Sequence, residues 1–232
     1  MKVSWCISKV DASFLAAMED VLDVYAQPYD PAYPVICFDE RPCFLIADTI
    51  TPIPTQSGKI AKEHYSYEKN GSCCLLAAIE PLQGKRIAQV YDQRTKKEYT
   101  AMMKVLADGY AGAKKIRVVQ DNLNTHSISS FYEHLAADEA KALAERFDFH
   151  YTPKSASWLN MIEIEFSALS KQCLNRRIGT KQMLEEQINT IVKERNEKQI
   201  KINWQFSIQK ARTNLNNRYT AVNSDNLKFK QT

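Results

Sequence analysis

Three acidic residues, far apart in the chain, have the types and positions for metal-assisted phosphodiester chemistry. Asp39 ends the apolar segment VICFD (35–39), and Asp121 ends KIRVVQD (115–121). Glu163 falls in the first turn of the helix expected after FDFHY (147–151). If the strands are neighbours in one sheet, all three carboxylates converge on one point. Carboxylates held together repel one another, and hard divalent cations, Mg²⁺ above all, supply the missing counter-charge. Two such ions, about 3.5–4 Å apart, activate a water or a 3′-hydroxyl and stabilise the leaving oxygen of a phosphodiester. Each acid also has a local alternative. Asp39 can begin the turn Asp-Glu-Arg-Pro, Asp121 can cap the helix after its loop, and Glu163 can answer a cap at Asn160.

Glu163 and Glu165 compete for the third position. They lie about 200° apart on a helix, so only one faces the strand ends. Ile162, Phe166, Leu169 and Cys173 form the core stripe. The flank of Glu163 continues through Ser167 and Ser170, which leaves room for an ion or phosphate, whereas that of Glu165 continues through Leu169. The spacing favours Glu163 slightly. Glu40 points to the opposite strand face from Asp39 and is left out.

The elements that must position these groups alternate along the chain. Asp11 caps an expected helix over 12–26, and QPYDPAYP (27–34) breaks the pattern. Two short strands, 35–39 and 43–48, are expected about a turn at Arg41-Pro42, followed by a loop or hairpin insertion over 49–71. Strands 72–80 and 86–92 turn at Gly84. Helices are expected over 95–110, 128–146, 160–175 and 181–198, with strands at 115–121 and 147–151. A short strand at 202–206 and a helix capped by Ser207 and running to about 218 close the pattern. This order predicts an α/β mixed sheet flanked by helices. The division expected is an N-terminal helix and linker (1–34), a catalytic domain (35–178), a C-terminal helical extension (179–219) and a polar tail (220–232).

Composition narrows the chemistry. The six glycines in 232 residues form neither of the common glycine-rich phosphate cradles, which argues against dinucleotide-dependent redox enzymes and Walker-type NTPases. The six cysteines contain no C-x-x-C pair, and the histidines have no spacing that completes a zinc site. Buried reduced thiols in a reducing cytoplasm are expected. No apolar run approaches the roughly 20 residues a membrane helix needs, and the first residues do not read as a signal peptide. Charge is uneven: residues 1–149 hold 17 Lys/Arg against 20 Asp/Glu, and residues 150–232 hold 14 against 7. The basic C-terminal third suits an anionic partner such as nucleic acid.

The segments VICFDERP (35–42), RVVQDNLNTHS (117–127) and HYTPKSASWLNMIEIEFSALSKQCLNRRI (150–178) closely resemble the catalytic domain of DDE transposases of bacterial insertion sequences, in the mariner-related superfamily. The densest motif is Ser-Trp-Leu-Asn-x-x-Glu-x-x-Phe at 157–166, paired with Asp-Asn-x-x-x-His at 121–126. The resemblance extends over nearly the whole chain. It implies an RNase H-like fold and makes Asp39, Asp121 and Glu163 the metal-binding catalytic triad. It also implies cleavage at transposon ends and strand transfer into target DNA, dependent on Mg²⁺ or Mn²⁺ as a pair of ions. Partners so implied are double-stranded DNA, further copies in a homo-oligomer on DNA, and no membrane; the location is the cytoplasm, on the bacterial nucleoid when bound. Family members carry helix-turn-helix segments ahead of this domain, and here the first strand is expected after only about 34 residues. A separately encoded helix-turn-helix partner is therefore expected. A truncated, non-catalytic fragment that binds DNA or joins full-length copies is the alternative.

Other residues carry weaker expectations. His126 can orient a phosphate or carboxylate, or simply pack. Trp158 can stack on a splayed base or plug the fold beside its helix. Lys154, Lys171, Arg176 and Arg177 can line a DNA backbone path or face solvent.

Overall fold

The computed structural model describes residues 10–226. Helix α1 (Ala12–Ala26) starts at Asp11, whose carboxylate accepts the N–H of Phe14 at 2.9 Å. Strands β1 (Val35–Asp48), β2 (Tyr67–Glu80) and β3 (Lys85–Tyr91) form an antiparallel meander. Helix α2 (Lys96–Gly109) leads to β4 (Ile116–Gln120), and α3 (Ser129–His134) and α4 (Ala137–Glu145) lead to β5 (Phe147–Tyr151). A 3₁₀ turn (Ser157–Leu159) precedes α5 (Ile162–Leu169), which runs into a π-helical turn (Ser170–Leu174). Helices α6 (Lys181–Glu197), α7 (Ile208–Asn214) and α8 (Asn216–Val222) follow. The sheet order is β3-β2-β1-β4-β5, with β1, β4 and β5 parallel. This is the mixed, helix-flanked sheet expected from the alternation of elements. Among the described residues no helix is long and apolar enough to cross a membrane.

Strand alternation assigns side chains to two cores. Cys37, Leu75 and Val119 face α5 and α6, packing on Ile162, Phe166, Leu169, Leu184 and Ile188. Ile36, Phe38 and Val118 face α2, α3 and α4, packing on Tyr99, Met102, Leu106, Phe131 and Leu143. A third core joins α1 to α7 and α8 through Phe14, Leu15, Met18, Leu22, Ala211 and Tyr219. Cys37, Cys43, Cys73, Cys74 and Cys173 are buried free thiols, and Cys6 lies outside the described residues.

Several local expectations need correction. The two strands expected at 35–39 and 43–48 are one, because β2 pairs with β1 along nearly its whole length. Pro42 is tolerated there because β4 accompanies β1 only through Cys37, which leaves an edge where a missing N–H breaks no ladder bond. Strand β2 starts five residues early, and Gly71 (φ +100°) lies where the β1–β2 register shifts. Residues 51–62 make a hairpin with bridges Ile53–Lys62 and Gln56–Lys59. The helix expected over 128–146 breaks at Leu135 and Ala136, both extended, and restarts with Asp138 and Glu139 in its first turn, where a helix N-terminus favours acids. The helix expected over 160–175 widens after Leu169. There the Phe166 carbonyl is shared by the Arg41 guanidinium (3.1 Å) and the Ser170 hydroxyl (2.6 Å). Residues 202–206 are not a strand; the Ile202 N–H bonds the Pro81 carbonyl in the β2–β3 turn, and Ile202 and Trp204 pack against the core. The last helix, capped by Ser207, is two, broken at Leu215. Residues 227–232 of the tail lie outside the described residues.

Candidate active site

The parallel ladder between β1 and β4 aligns Val35 with Arg117, Ile36 with Val118 and Cys37 with Val119. Two steps further along both chains stand Asp39 and Asp121. Strands in a sheet run about 4.8 Å apart, and each aspartate shares its strand's α5-facing side with Cys37 or Val119. Asp39 is therefore not at a strand end, as its sequence context suggested. It sits where β4 stops beside it. Its carboxylate accepts the Glu40 N–H at 2.7 Å. Burial, then the Glu40 and Asp121 charges, push its pKa up to about 7 against the pull of that N–H and of His126.

Asn160 brings α5 to this edge. It is buried, donates from Nδ2 to the Phe38 carbonyl at 2.8 Å, and its Oδ1 accepts the Ile162 N–H at 3.3 Å. Its own carbonyl accepts the Glu163 N–H. One residue thus ties the start of α5 to the backbone beside Asp39. Tyr25 adds a bond from its hydroxyl to the Leu159 carbonyl at 2.9 Å.

The two glutamates separate sharply. Glu165 is 2% exposed and lies between Arg86 of β3 and Arg195 of α6, each Nε 2.9 Å from its carboxylate. Glu163 is exposed in the first turn. Among the described residues no three His, Cys, Asp or Glu side chains stand close enough together to hold a metal ion. Asp39 and Asp121 come together, and Glu163 stands on the neighbouring turn outside that cluster. The donor set nonetheless suits a hard cation. It consists of carboxylates, and burial, with the neighbouring Glu40 and Asp121 charges, makes the Asp39 carboxylate hard to ionise on its own.

His126, unresolved from spacing, is 2% exposed and bridges two acids. Its Nδ1 lies 2.6 Å from Asp121 Oδ1, and its Nε2 lies 2.8 Å from Glu40 Oε2. Burial opposes the imidazolium, yet the two carboxylates prevail and raise its pKa to about 9. Burial likewise works against the Asp121 carboxylate, but His126, the Leu123 N–H and the Arg94 charge outweigh it and lower that pKa. Glu40 and Arg94 had no sequence signal as part of this site, and Asn160 stood in the Ser-Trp-Leu-Asn motif but read only as a cap. Glu40 had been left out on correct geometry, since it does face away from Asp39.

A cleft of about 860 Å³ opens beside Asp121, between the start of α1 and the turn after β5; Ser13, Phe14, Asn122, Tyr151, Lys154 and Ser155 line it. Ser155 holds a left-handed backbone there (φ 61°). Trp158 is 40% exposed and meets Phe206 edge to face. Lys171 is exposed. Arg176 bonds the Cys173 carbonyl and Gln187. Arg177 is committed to Asp48 at 2.7 Å and to the carbonyls of His64 and Ser66, which anchors the β1–β2 connection.

Comparison with known proteins agrees with this architecture. A family model described as DDE superfamily endonuclease matches residues 34–185. No curated protein matches the chain. Among solved structures, the Mos1 mariner paired-end complex with Mn has a TM-score of 0.56 at 11% identity, covering 99% of this chain and 68% of that one. The Mos1 strand transfer complex gives the same score and identity, covering 99% and 67%. The pre-cleavage Mos1 transpososome gives 0.54 at 10%, covering 88% and 68%. The shared feature is the RNase H-like mixed sheet with its flanking helices.

Proposed function

The chain belongs to the DDE superfamily endonucleases, and on that premise we propose that it is a transposase catalytic domain that cuts DNA at transposon ends and joins them to target DNA. Asp39, Asp121 and Glu163 would hold the divalent metal, Mg²⁺ or Mn²⁺, as a pair of ions. Once bound, such ions activate the attacking oxygen and offset the charge on the phosphate. The observation that supports this reading is the β1–β4 register, which pairs Cys37 with Val119, each two residues before Asp39 and Asp121.

The chain's own residues supply placement. Asn160 holds the turn bearing Glu163 against β1, and Glu163 closes on the two aspartates by rotation of its exposed side chain. The cleft beside Asp121 admits the DNA strand, with Lys154 as a phosphate contact and Trp158 at its approach. Lys171 and Arg176 extend the basic path, and Arg177 contributes charge while bracing the β1–β2 connection. Residues 35–178 form the catalytic unit, and 10–34 and 179–219 brace it. On DNA the protein works as an oligomer of itself, with end recognition supplied by a helix-turn-helix segment.

The decisive experiment incubates the protein with duplex DNA bearing the ends of its own element, in Mg²⁺ or Mn²⁺, with and without that upstream segment. Metal-dependent nicking is expected, abolished by EDTA and by Asp121→Asn. Wild-type cleavage by Asp121→Asn rejects the assignment. Binding should weaken steeply with salt as phosphate contacts release counterions.

A further inference from the structure

The two oxygens of Asp121 are not equivalent. Oδ1 lies 2.6 Å from His126 Nδ1 and accepts the Leu123 N–H at 3.3 Å. Among the described residues Oδ2 takes part in no hydrogen bond, and His126 Nδ1 also lies 3.3 Å from the Asp121 backbone carbonyl. The imidazole that engages Oδ1 is itself fixed. It stacks on Tyr99 with centroids 5.0 Å apart and meets Phe38 edge to face at 5.4 Å. The backbone carbonyl of His126 accepts from Gln120 Nε2 and from the Tyr151 hydroxyl, both at 3.3 Å. Its far nitrogen rests 2.8 Å from Glu40 Oε2, on a side chain only 5% exposed. Arg94, 61% exposed, approaches the same carboxylate at 3.8 Å.

We propose that Glu40 and His126 form a positioning relay for Asp121, engaging Oδ1 so that Oδ2 is the oxygen offered to the metal. Neither residue is a metal ligand. The inference rests on the assignment of Asp121 as a ligand. A carboxylate with both oxygens free can turn and present either one. A fixed imidazole removes that freedom, and partners of this kind behind a ligand are worth about 10–100-fold in metal affinity. Glu40 acts through the ring: it is the second anion that keeps a buried imidazole oriented toward Asp121. The relay runs from one sheet face to the other, since Glu40 and Asp39 alternate on β1. That is why an acid facing away from the metal belongs to the site.

The test is direct Mn²⁺ binding to the full chain, read as loss of the free-ion EPR signal, with thermal melts run alongside. His126→Gln keeps a polar group toward Glu40 but withdraws the donor from Asp121, and should weaken Mn²⁺ binding about 10–100-fold. His126→Asn places its amide nitrogen where Nδ1 stood and should retain more affinity than His126→Gln. Glu40→Gln should weaken binding, and combining it with His126→Gln should add nothing further, because both act on one group. Unchanged Mn²⁺ affinity in Glu40→Gln and His126→Gln, with only a lowered melting point, would overturn the relay. Equal losses in His126→Asn and His126→Gln, or additive losses in the double variant, overturn it as well. Should the His126 variants fail to fold, Glu40→Gln decides alone. Asp121→Asn is the reference. If it loses Mn²⁺ while Glu40→Gln does not, the relay fails and the catalytic assignment stands. If wild type binds Mn²⁺ no better than Asp121→Asn, the assignment fails and the relay with it.

Discussion

Two glutamates two positions apart on α5 illustrate how burial and pairing divide structural from chemical roles. Glu165 is an anion enclosed with two guanidinium groups, Arg86 from β3 and Arg195 from α6. Arg86 is further held by bonds to the Gly84 and Ile200 carbonyls. Gly84 itself has φ +71°, and a Cβ there would meet the Gln199 and Ile200 backbone at 2.7–2.8 Å, so the turn bearing Arg86 requires glycine. Glu165→Gln leaves one buried and one partly buried cation without their anion. Breaking such a pair from one side costs about 3–5 kcal/mol, so a melting point lower by on the order of 10 °C is expected. Glu163→Gln changes an exposed side chain and should melt like wild type, yet it should abolish metal-dependent cleavage. Calorimetry and a nicking assay on both variants check the pair. A stable Glu165→Gln beside an active Glu163→Gln would reverse the assignment.

At the scale of elements, the placement of α5 hangs on Asn160. Asn160→Ala removes the donor to the Phe38 carbonyl beside Asp39 and leaves that buried acceptor unpaired, at a cost of about 1–3 kcal/mol. Because the same residue aligns the turn carrying Glu163, kcat should fall further than that loss of stability explains while DNA binding persists. Cleavage kinetics at a temperature where the variant is fully folded check this, and wild-type kcat there counts against it. Local signals explain which elements were legible in advance. The Asp11 cap and the apolar segments of β4 and β5 are short-range features, and each marks its element in the chain. The continuity of β1 through Pro42 depends on pairing with β2, some thirty positions away, and no local pattern carries it. The same holds for the site. Asp39 and Asp121 follow apolar segments of the sequence and so announce themselves. The contacts of His126 with Glu40, and of Asn160 with Phe38, exist only once β1, β4 and α5 are assembled. Glu165 was assigned to packing from its flank, but its charge partners come from β3 and α6, which helix spacing cannot reveal.

Across the whole molecule, the first and last described helices close on each other beside the cleft next to Asp121. Residues Phe14, Leu15, Met18 and Leu22 of α1 share a core with Ala156 and Leu159, from the turn that walls the cleft, and with Ala211 and Tyr219 of α7 and α8. The polar seal of this core is Glu19, which takes two bonds of 2.7 Å from Arg212 and one from the Tyr219 hydroxyl. Those bonds, the Arg212 guanidinium foremost, lower the Glu19 pKa below its usual 4.5 despite partial burial. A carboxylate with a depressed folded-state pKa binds protons more weakly in the folded protein than in the unfolded one. Its stabilising contribution is therefore complete above about pH 5 and is lost as pH falls through 4.5 toward the folded-state value. Glu19→Gln should accordingly melt below wild type at pH 7, and the gap should close as both proteins are taken toward pH 3. Thermal melts of the two proteins across that range test the seal. A gap that persists unchanged at pH 3 would show that Glu19 acts through packing alone, and that the charge linking α1 to the C-terminal helices contributes nothing to holding the cleft wall in place.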